Sequence, residues 1–376
     1  MEFTIQKDLF LNTLRIAEHI SSTKGIQIIL SNVYIEATEE NELILKSSDL
    51  DIGVILKIKA SVKKTGKITL PSKKLSEIVS KLPNDEVNFE ASEDTNKAKI
   101  TSGRAKFELM GISALEFPAI LTKEDMEEFI NNITLDIKPF INAIKQTVYA
   151  ASTAENNSIY NGVFMKVDEN TLEMAATDGA RLSTVIEKVE NKEDKTFEGI
   201  IPSRTLAEFI RFQSGSACEK VEIMKKDSQL LFKIGENIMI SRSIEGQYPK
   251  YKQIIPQDND KIIFVNREDF INALDRTSSM VEEKKNVVKL TFDNNQLSLV
   301  VDNPELGDSN DFVDIDFETE EPLKIAFNCK YLLDTLRNYE SKKVRIEIKS
   351  SDRPALIKPE DKENYISLIM PIQIKE

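Results

Sequence analysis

Three short segments of this chain read almost alike, spaced 130 residues apart: Phe10-Leu11-Asn12-Thr13-Leu14-Arg15, Phe140-Ile141-Asn142-Ala143-Ile144-Lys145 and Phe270-Ile271-Asn272-Ala273-Leu274-Asp275. Such an interval exceeds the roughly 20–50 residues of a solenoid unit and is about the size of one ordinary domain. Further landmarks keep the same order. Pro71-Ser72-Lys73-Lys74-Leu75 opens a helical pattern, Pro202-Ser203-Arg204-Thr205-Leu206 opens another 131 residues later, and Asn328-Cys329-Lys330-Tyr331-Leu332 takes that place in the last third. Ser48-Asp49 returns as Thr177-Asp178, and Phe117-Pro118 as Tyr248-Pro249. The chain reads as three copies of one domain, and its function must explain why three similar modules stand in a row.

Each repeat opens with a short alternating strand, at 3–5, 133–137 and 262–265, followed by a helix. In the first helix Phe10, Leu14 and Ala17 make an apolar stripe at helical spacing, with Asn12, Arg15 and His19 on another face. Strand-like stretches separated by polar turns come next: 33–37 and 43–45, 163–167 and 172–175, 288–292 and 297–300. These read as hairpins. A second helix follows in each repeat, at Ser72–Leu82, Ser203–Phe212 and Cys329–Asn338, with Ser72 and Ser203 suited to N-capping. Each domain is thus a doubled unit of strand, helix and antiparallel strands, an α+β fold with helices gathered on one side of a sheet. The expected domains are 1–123, 129–256 and 260–376, joined by the acidic stretch Lys123–Glu128 and the turn-rich Pro256–Asp260.

At 376 residues, 40% hydrophobic and 30% charged, the chain can support two or three cores. No apolar run approaches the roughly 18 residues of a membrane span, and the first residues lack a signal peptide's pattern. The two cysteines, Cys218 and Cys329, fall in different repeats and make neither a disulfide framework nor a zinc site. The expectation is a cytoplasmic, reduced protein with no membrane association, cofactor or metal. An enzyme is disfavoured: His19 is the sole histidine, and no Gly-x-Ser-x-Gly, phosphate loop or paired-His motif occurs. Asp49 and Asp178 recur in hairpin turns, where Asp commonly bonds its own backbone.

With its three repeats, the segment Thr177-Asp178-Gly179-Ala180-Arg181-Leu182, Gly246-Gln247-Tyr248-Pro249-Lys250-Tyr251, Ala326-Phe327-Asn328 and the C-terminal Met370-Pro371-Ile372, the chain resembles the sliding clamps of bacterial replication, the beta subunits of DNA polymerase III. The resemblance implies a DNA clamp fold and a head-to-tail homodimeric ring of six domains, helices lining the hole and sheets outside. Duplex DNA would thread the ring, which would tether the replicative polymerase and other motif-bearing partners after a clamp loader had placed it. Such a protein is a non-catalytic accessory subunit.

Charge can be weighed against that implication. The helical stretches 7–24, 72–82, 138–152, 203–212, 267–280 and 329–338 together carry +6 of a chain whose net charge is −13, so the remainder carries −19. A basic lining inside an acidic exterior can surround a polyanion. The expected DNA-facing residues are Arg15, Lys24, Lys73, Lys74, Lys145, Arg204, Arg211, Arg276 and Arg337, meeting phosphates that position without specifying sequence. The loop Glu155-Asn156-Asn157-Ser158 departs from the family pattern, and Ala180 and Gln253 replace polar or basic residues common there.

Carried over by position, a peptide-binding pocket would be walled by Tyr160, Thr177, Gly179, Arg181, Leu182, Pro249, Ile254, Asn328, Tyr331, Leu368, Ile369, Met370 and Pro371. Its apolar members offer an adaptable surface, with Arg181 and Asn328 expected to fix a peptide backbone; the alternative makes Leu182, Ile254 and Ile369 plain core. The ring contact would set Arg104, Lys106, Phe107 and Leu109 against Ser279, Met280, Glu305 and Asp308, a heterologous interface, the alternative being a charge-guarded edge strand. A three-domain scaffold that never touches DNA would share the repeats and lack a use for the basic helix faces.

Overall fold

Phe10, Phe140 and Phe270 are wholly buried, as are Leu14, Ile144 and Leu274 four residues on. Asn12, Asn142 and Asn272 of the same motif lie exposed. The repeated segment is therefore one amphipathic helix, copied three times with the same core face. These placements come from a computed structural model that describes residues 1–21, 27–121, 123–154, 158–191, 195–282 and 286–373. Its helices are α1 (Lys7–Ile20), α2 (Ser72–Ser80), α3 (Lys123–Glu127), α4 (Ile137–Val148), α5 (Ser203–Phe212), α6 (Arg267–Ser278) and α7 (Cys329–Arg337). In the first repeat Phe3 stacks on Phe89 at 4.7 Å and meets Phe10 edge-on at 6.0 Å, an aromatic anchor between strand and helix.

Contacts divide the chain into two compact units. One comprises Met1–Lys138, Glu190–Phe197 and Arg204–Ser243; the other comprises Pro139–Val189, Glu198–Ser203 and Ile244–Glu376. The middle repeat thus contributes to both. The first unit contains a five-stranded sheet ordered Ser61–Lys64, Glu2–Gln6, Glu86–Ser92, Lys97–Ser102 and Ala105–Met110. Its eight-stranded sheet joins strands of the first two repeats where Gly53–Lys59 pairs with Asn237–Arg242, with Gly53 opposite Ile240. In the second unit a longer sheet joins the second and third repeats where Arg181–Lys188 pairs with Tyr365–Ile369, with Leu182 opposite Leu368. The three early hairpin turns each contain a left-handed residue: Asn41 (φ 57°), Glu169 (φ 47°) and Asn295 (φ 56°).

Several local expectations change. Ser72 is the first helical residue of α2, not its cap: Pro71 precedes it without a side-chain bond, and the Ser72 hydroxyl donates to the Ser31 carbonyl at 2.9 Å and lies 2.6 Å from Ser21 Oγ. Ser203 likewise starts α5. The side-chain caps are Asn266, whose Oδ1 accepts from the backbone N–H of Glu268 and Asp269, and Asn328, which accepts from Tyr331 N at 3.2 Å. The acidic stretch after residue 122 carries the short α3, and Phe129 beyond it is buried with Leu231, Ile238 and Ile240. Apolar residues inside a charged stretch made that segment a packing element. Among the described residues, no helix is long and apolar enough to cross a membrane.

Phe270→Ala should destabilise its unit by about 3–5 kcal/mol, because a fully buried ring leaves a cavity. Exposed Asn272→Ala should shift stability by no more than about 0.5 kcal/mol. Denaturant midpoints check both; equal shifts would contradict this assignment of the two helix faces.

Candidate peptide-binding site and charged faces

The turn from Thr177 to Arg181 is held by its own side chains. Asp178 Oδ1 accepts from the backbone N–H of Ala180 and Arg181, each at 3.0 Å. The Thr177 hydroxyl accepts from Gly179 N at 3.1 Å and donates to the Arg181 carbonyl. Gly179 sits at φ 93° with nothing within 4 Å of where a Cβ would stand, so glycine meets the conformational need of a tight turn at an open surface. Tyr248 supplies a further tie: its hydroxyl accepts from Thr177 N at 3.1 Å. Burial pushes the Tyr248 phenol upward, so it remains protonated at neutral pH.

Arg181 does not point free into solvent to hold a peptide, as its residue type led us to expect. It is 8% exposed. Its Nε donates to Asp178 at 3.0 Å and a terminal nitrogen to Asp334 at 2.8 Å. The guanidinium also lies 4.3 Å from the Tyr331 ring centre and 5.7 Å from that of Tyr149. It is a buttress, fixing the turn and the Tyr331 ring by charge and cation–π contact. Asn328 is likewise committed through Oδ1 to capping α7. Burial, then nearby Asp178, raise the Tyr331 phenol pKa.

The wall separates into support and surface. Leu182, Leu368 and Ile369 are core, at most 1% exposed, and Thr177 is buried beside them. Leu182 and Leu368 pack with Ala175, Tyr248 and Tyr251. Ile254 at 54% and Met370 at 42% are exposed, against the general rule for large apolar residues. Gly179 is exposed, and Tyr160, Pro249, Asn328, Tyr331 and Pro371 are half-buried. Met370 N donates to the Ala180 carbonyl at 2.9 Å, so the exposed methionine is fixed directly beside the turn. Sequence reasoning missed Asp334 and Tyr149 as supports, whose positions carry no local motif; Tyr248 was flagged as a repeat landmark and within a family-like segment, not as a support.

The helix faces carry cations, many already paired. Arg276 bonds Asp311 at 2.6 Å, Arg337 bonds Asp275 at 2.6 Å, Arg211 bonds Glu208 at 3.1 Å and Lys74 bonds Glu77 at 2.8 Å; Arg204 pairs with Asp49. Among the described residues Arg15, Lys73 and Lys145 have no ion-pair partner. Lys24 lies outside the described residues, as do Glu155, Asn156 and Asn157. Arg276 in turn depresses the Asp311 carboxyl. Exposed pairs of this kind contribute little net stability, so their cations remain exchangeable for an external anion.

Among the sheet edges of the described residues, two carry the residues expected at the ring contact. Ala105–Met110 ends the five-stranded sheet, with Arg104 and Lys106 exposed, Phe107 37% exposed and Leu109 half-buried. Gly307–Asp316 pairs on one side with Gln296–Asn303 but on the other with Lys261–Asn266 only at Ile315 and Asp316. Near its free end, Asn303 donates to the Met280 carbonyl at 3.0 Å and accepts from Glu305 N at 3.0 Å. That side chain ties the Met280 carbonyl to the turn at Glu305 and Leu306, with Ser279 adjacent in sequence to Met280 and Asp308 paired with Asp302 at the start of the strand. Leu306, in that turn, is 65% exposed, and Phe312, further along the strand opposite Ser298, is 51% exposed; alternation alone did not single them out.

Similarity to known proteins gives this arrangement its class. The structure aligns over 100% of both chains with the DNA polymerase sliding clamp from Bacillus subtilis, at a TM-score of 0.86 and 31% identity. It aligns equally completely with a Pseudomonas aeruginosa sliding clamp bound to griselimycin, at 0.88 and 26%. The fold is therefore that of the DNA clamps. Residues 1–121, 134–250 and 252–373 match the family models for the N-terminal, central and C-terminal domains of the DNA polymerase III beta subunit. The beta sliding clamp of Staphylococcus epidermidis is 32% identical over 384 aligned residues, covering 99% of each chain. This chain belongs to the bacterial beta sliding clamp family.

Removing one support of the buttress should be measurable. Asp334→Ala leaves a buried guanidinium short of an acceptor and should cost about 1–3 kcal/mol, whereas Asp334→Asn, which keeps an acceptor, should cost less. Thermal unfolding of the two variants checks this, and unchanged midpoints in both would contradict the role given to Asp334.

Proposed function

We propose that two copies of this chain close head to tail into a ring around duplex DNA. The ring tethers the replicative polymerase and other replication and repair proteins through the wall around Met370. The chain is a processivity factor of the sliding clamp family and not an enzyme. In this reading its domains are 1–123, 129–256 and 260–376, it works in the cytoplasm, and a clamp loader opens the ring. No base-reading group is required, because topological linkage supplies retention and diffuse phosphate contacts permit sliding.

The observation that carries the partner site is the pair of exposed apolar side chains, Ile254 and Met370, with Met370 backed by a turn rigidified through Asp178, Arg181 and Tyr248. A rigid wall with exposed apolar anchors suits capture of a short linear segment, since little ordering is left to oppose binding. For the ring, the support is two open strand edges of complementary character. Lys106 and Phe107 lie on one, with Arg104 just before it, and Asp308 and Phe312 on the other, with Met280 and Glu305 tied beside its start through Asn303.

Leu182 is too deeply buried for a charge there to report on the pocket alone, so the test uses Met370. Met370→Asp should weaken binding of polymerase and its clamp-binding segment by about 10–150-fold, the equivalent of one buried apolar anchor. The variant should remain on closed circular DNA and leave it when the circle is cut. Full stimulation of processive synthesis by Met370→Asp would place the partner site elsewhere, and retention on cut DNA would oppose encirclement.

A further inference from the structure

The turn that supports the Met370 wall has a near duplicate one repeat earlier. Ser48 Oγ accepts from Leu50 N at 3.0 Å and donates to the Ile52 carbonyl at 3.1 Å. Asp49 Oδ1 accepts from the backbone N–H of Asp51 at 3.1 Å and Ile52 at 2.8 Å. These are the bonds made by Thr177 and Asp178. An arginine again pairs with the aspartate, here Arg204, which is half exposed where Arg181 is buried. The strand after the turn pairs across the junction in matching register: Gly53 faces Ile240 as Leu182 faces Leu368. Two residues past that partner stand Arg242 here and Met370 there.

A cavity of about 220 Å³ lies beside this first turn, lined among others by Leu50, Asp51, Pro118, Ile120 and Arg242. Pro118 holds the position that Pro249 holds in the next repeat. The substitutions between the two sites are chemically specific. Gly53 takes the place of Leu182, and Ile120 fills the space: a Cβ on Gly53 would lie 2.8 Å from the Ile120 side chain. Leu50 takes the place of Gly179. It is 60% exposed and holds φ 80°, a left-handed backbone that L side chains rarely adopt. Neither core packing nor turn geometry calls for a leucine there, and a left-handed backbone held at an exposed apolar residue is a costly outlier of the kind that motivates a functional hypothesis. Arg242 replaces the exposed methionine; it too is exposed, and among the described residues it has no ion-pair partner.

We propose that this cavity is a second docking site, for a short extended peptide that carries an aliphatic side chain beside an acidic one. Leu50, Pro118 and Ile120 receive the aliphatic group, Arg242 the carboxylate, and Asp51 can accept a backbone N–H of the peptide. The proposal rests on reading the Met370 wall as a peptide site. It goes beyond that reading in giving the chain two sites of different preference, one apolar and one cationic. A partner bearing two segments could then engage both with higher avidity than either segment alone.

The test uses the full chain carrying Met370→Asp and two fluorescein-labelled, end-blocked alanine-based hexapeptides, one with leucine followed by aspartate and one with lysine replacing the aspartate. Fluorescence anisotropy at up to about 1 mM protein should show saturable binding of the acidic peptide and much weaker binding of the lysine peptide. Adding Leu50→Gly or Arg242→Glu should weaken the acidic peptide about tenfold or more. Leu50→Gly should meanwhile leave the thermal midpoint unchanged or raised, because glycine relieves the strain. Binding indifferent to both substitutions, or absent altogether, overturns the second site. Binding seen in the unmutated chain but lost with Met370→Asp assigns the peptide to the Met370 wall and also overturns it. Failure of the Met370 reading itself appears separately, as unaltered polymerase stimulation.

Discussion

Antiparallel pairing across the repeat boundaries is the constraint on which the rest of this structure depends. Gly53–Lys59 joins Asn237–Arg242, and Arg181–Lys188 joins Tyr365–Ile369. Each pairing satisfies backbone groups that would otherwise form an exposed edge, and each brings a side-chain-locked turn against a neighbouring strand. The wall at Met370, proposed above as a docking site, and the cavity at Leu50 are both consequences of this register. A slip by one residue would send Leu182 and Leu368 to the opposite face and expose the core. The same logic leaves Ala105–Met110 and the start of Gly307–Asp316 unpaired within the chain. In the ring account these two edges, among the several sheet edges of the described residues, meet in a second copy, so one device used within the chain is used again between chains.

Electrostatics then divides labour between holding and sliding. Arg181 is buried and bound by two carboxylates, a geometry that fixes position. The helix cations are exposed, and their pairs with Asp275, Asp311, Glu208 and Glu77 lie in water. Screening and side-chain entropy keep such pairs weak. They lower the net positive field of the helix faces without removing the groups themselves. In the proposed function, such a surface would favour many shallow contacts with phosphate over a few deep ones, as a tether that must move requires. Arg15, Lys73 and Lys145 would meet phosphate without first giving up a partner among the described residues.

Much of this was legible in the sequence because repetition amplifies weak signals. A single phenylalanine followed four residues later by Leu or Ile is a poor indicator of a helix, but three at equal intervals located three helix cores, and Phe10, Phe140 and Phe270 are all buried. The hairpins were readable from alternation and polar turns. What could not be read was set by long-range contact. Nothing around Asp334 marks it as the partner of an arginine 153 positions away, and Arg181 looked like a ligand-holding group because its burial depends on a helix from another repeat. Ser72 looked like a cap by residue type, yet tertiary bonding to Ser31 took its hydroxyl. Leu50 was invisible as a strained residue, since backbone sign is not written in composition.

Sedimentation equilibrium of the intact chain tests the ring account most directly. The account predicts twice the chain mass at about 10 μM, near ordinary working affinities for a stable pair. It further predicts a shift toward the single-chain mass when Phe107→Asp places a carboxylate at the open edge, where desolvating it is costly. A single-chain mass for the unmutated protein, or a two-chain mass indifferent to Phe107→Asp, would contradict closure through these edges.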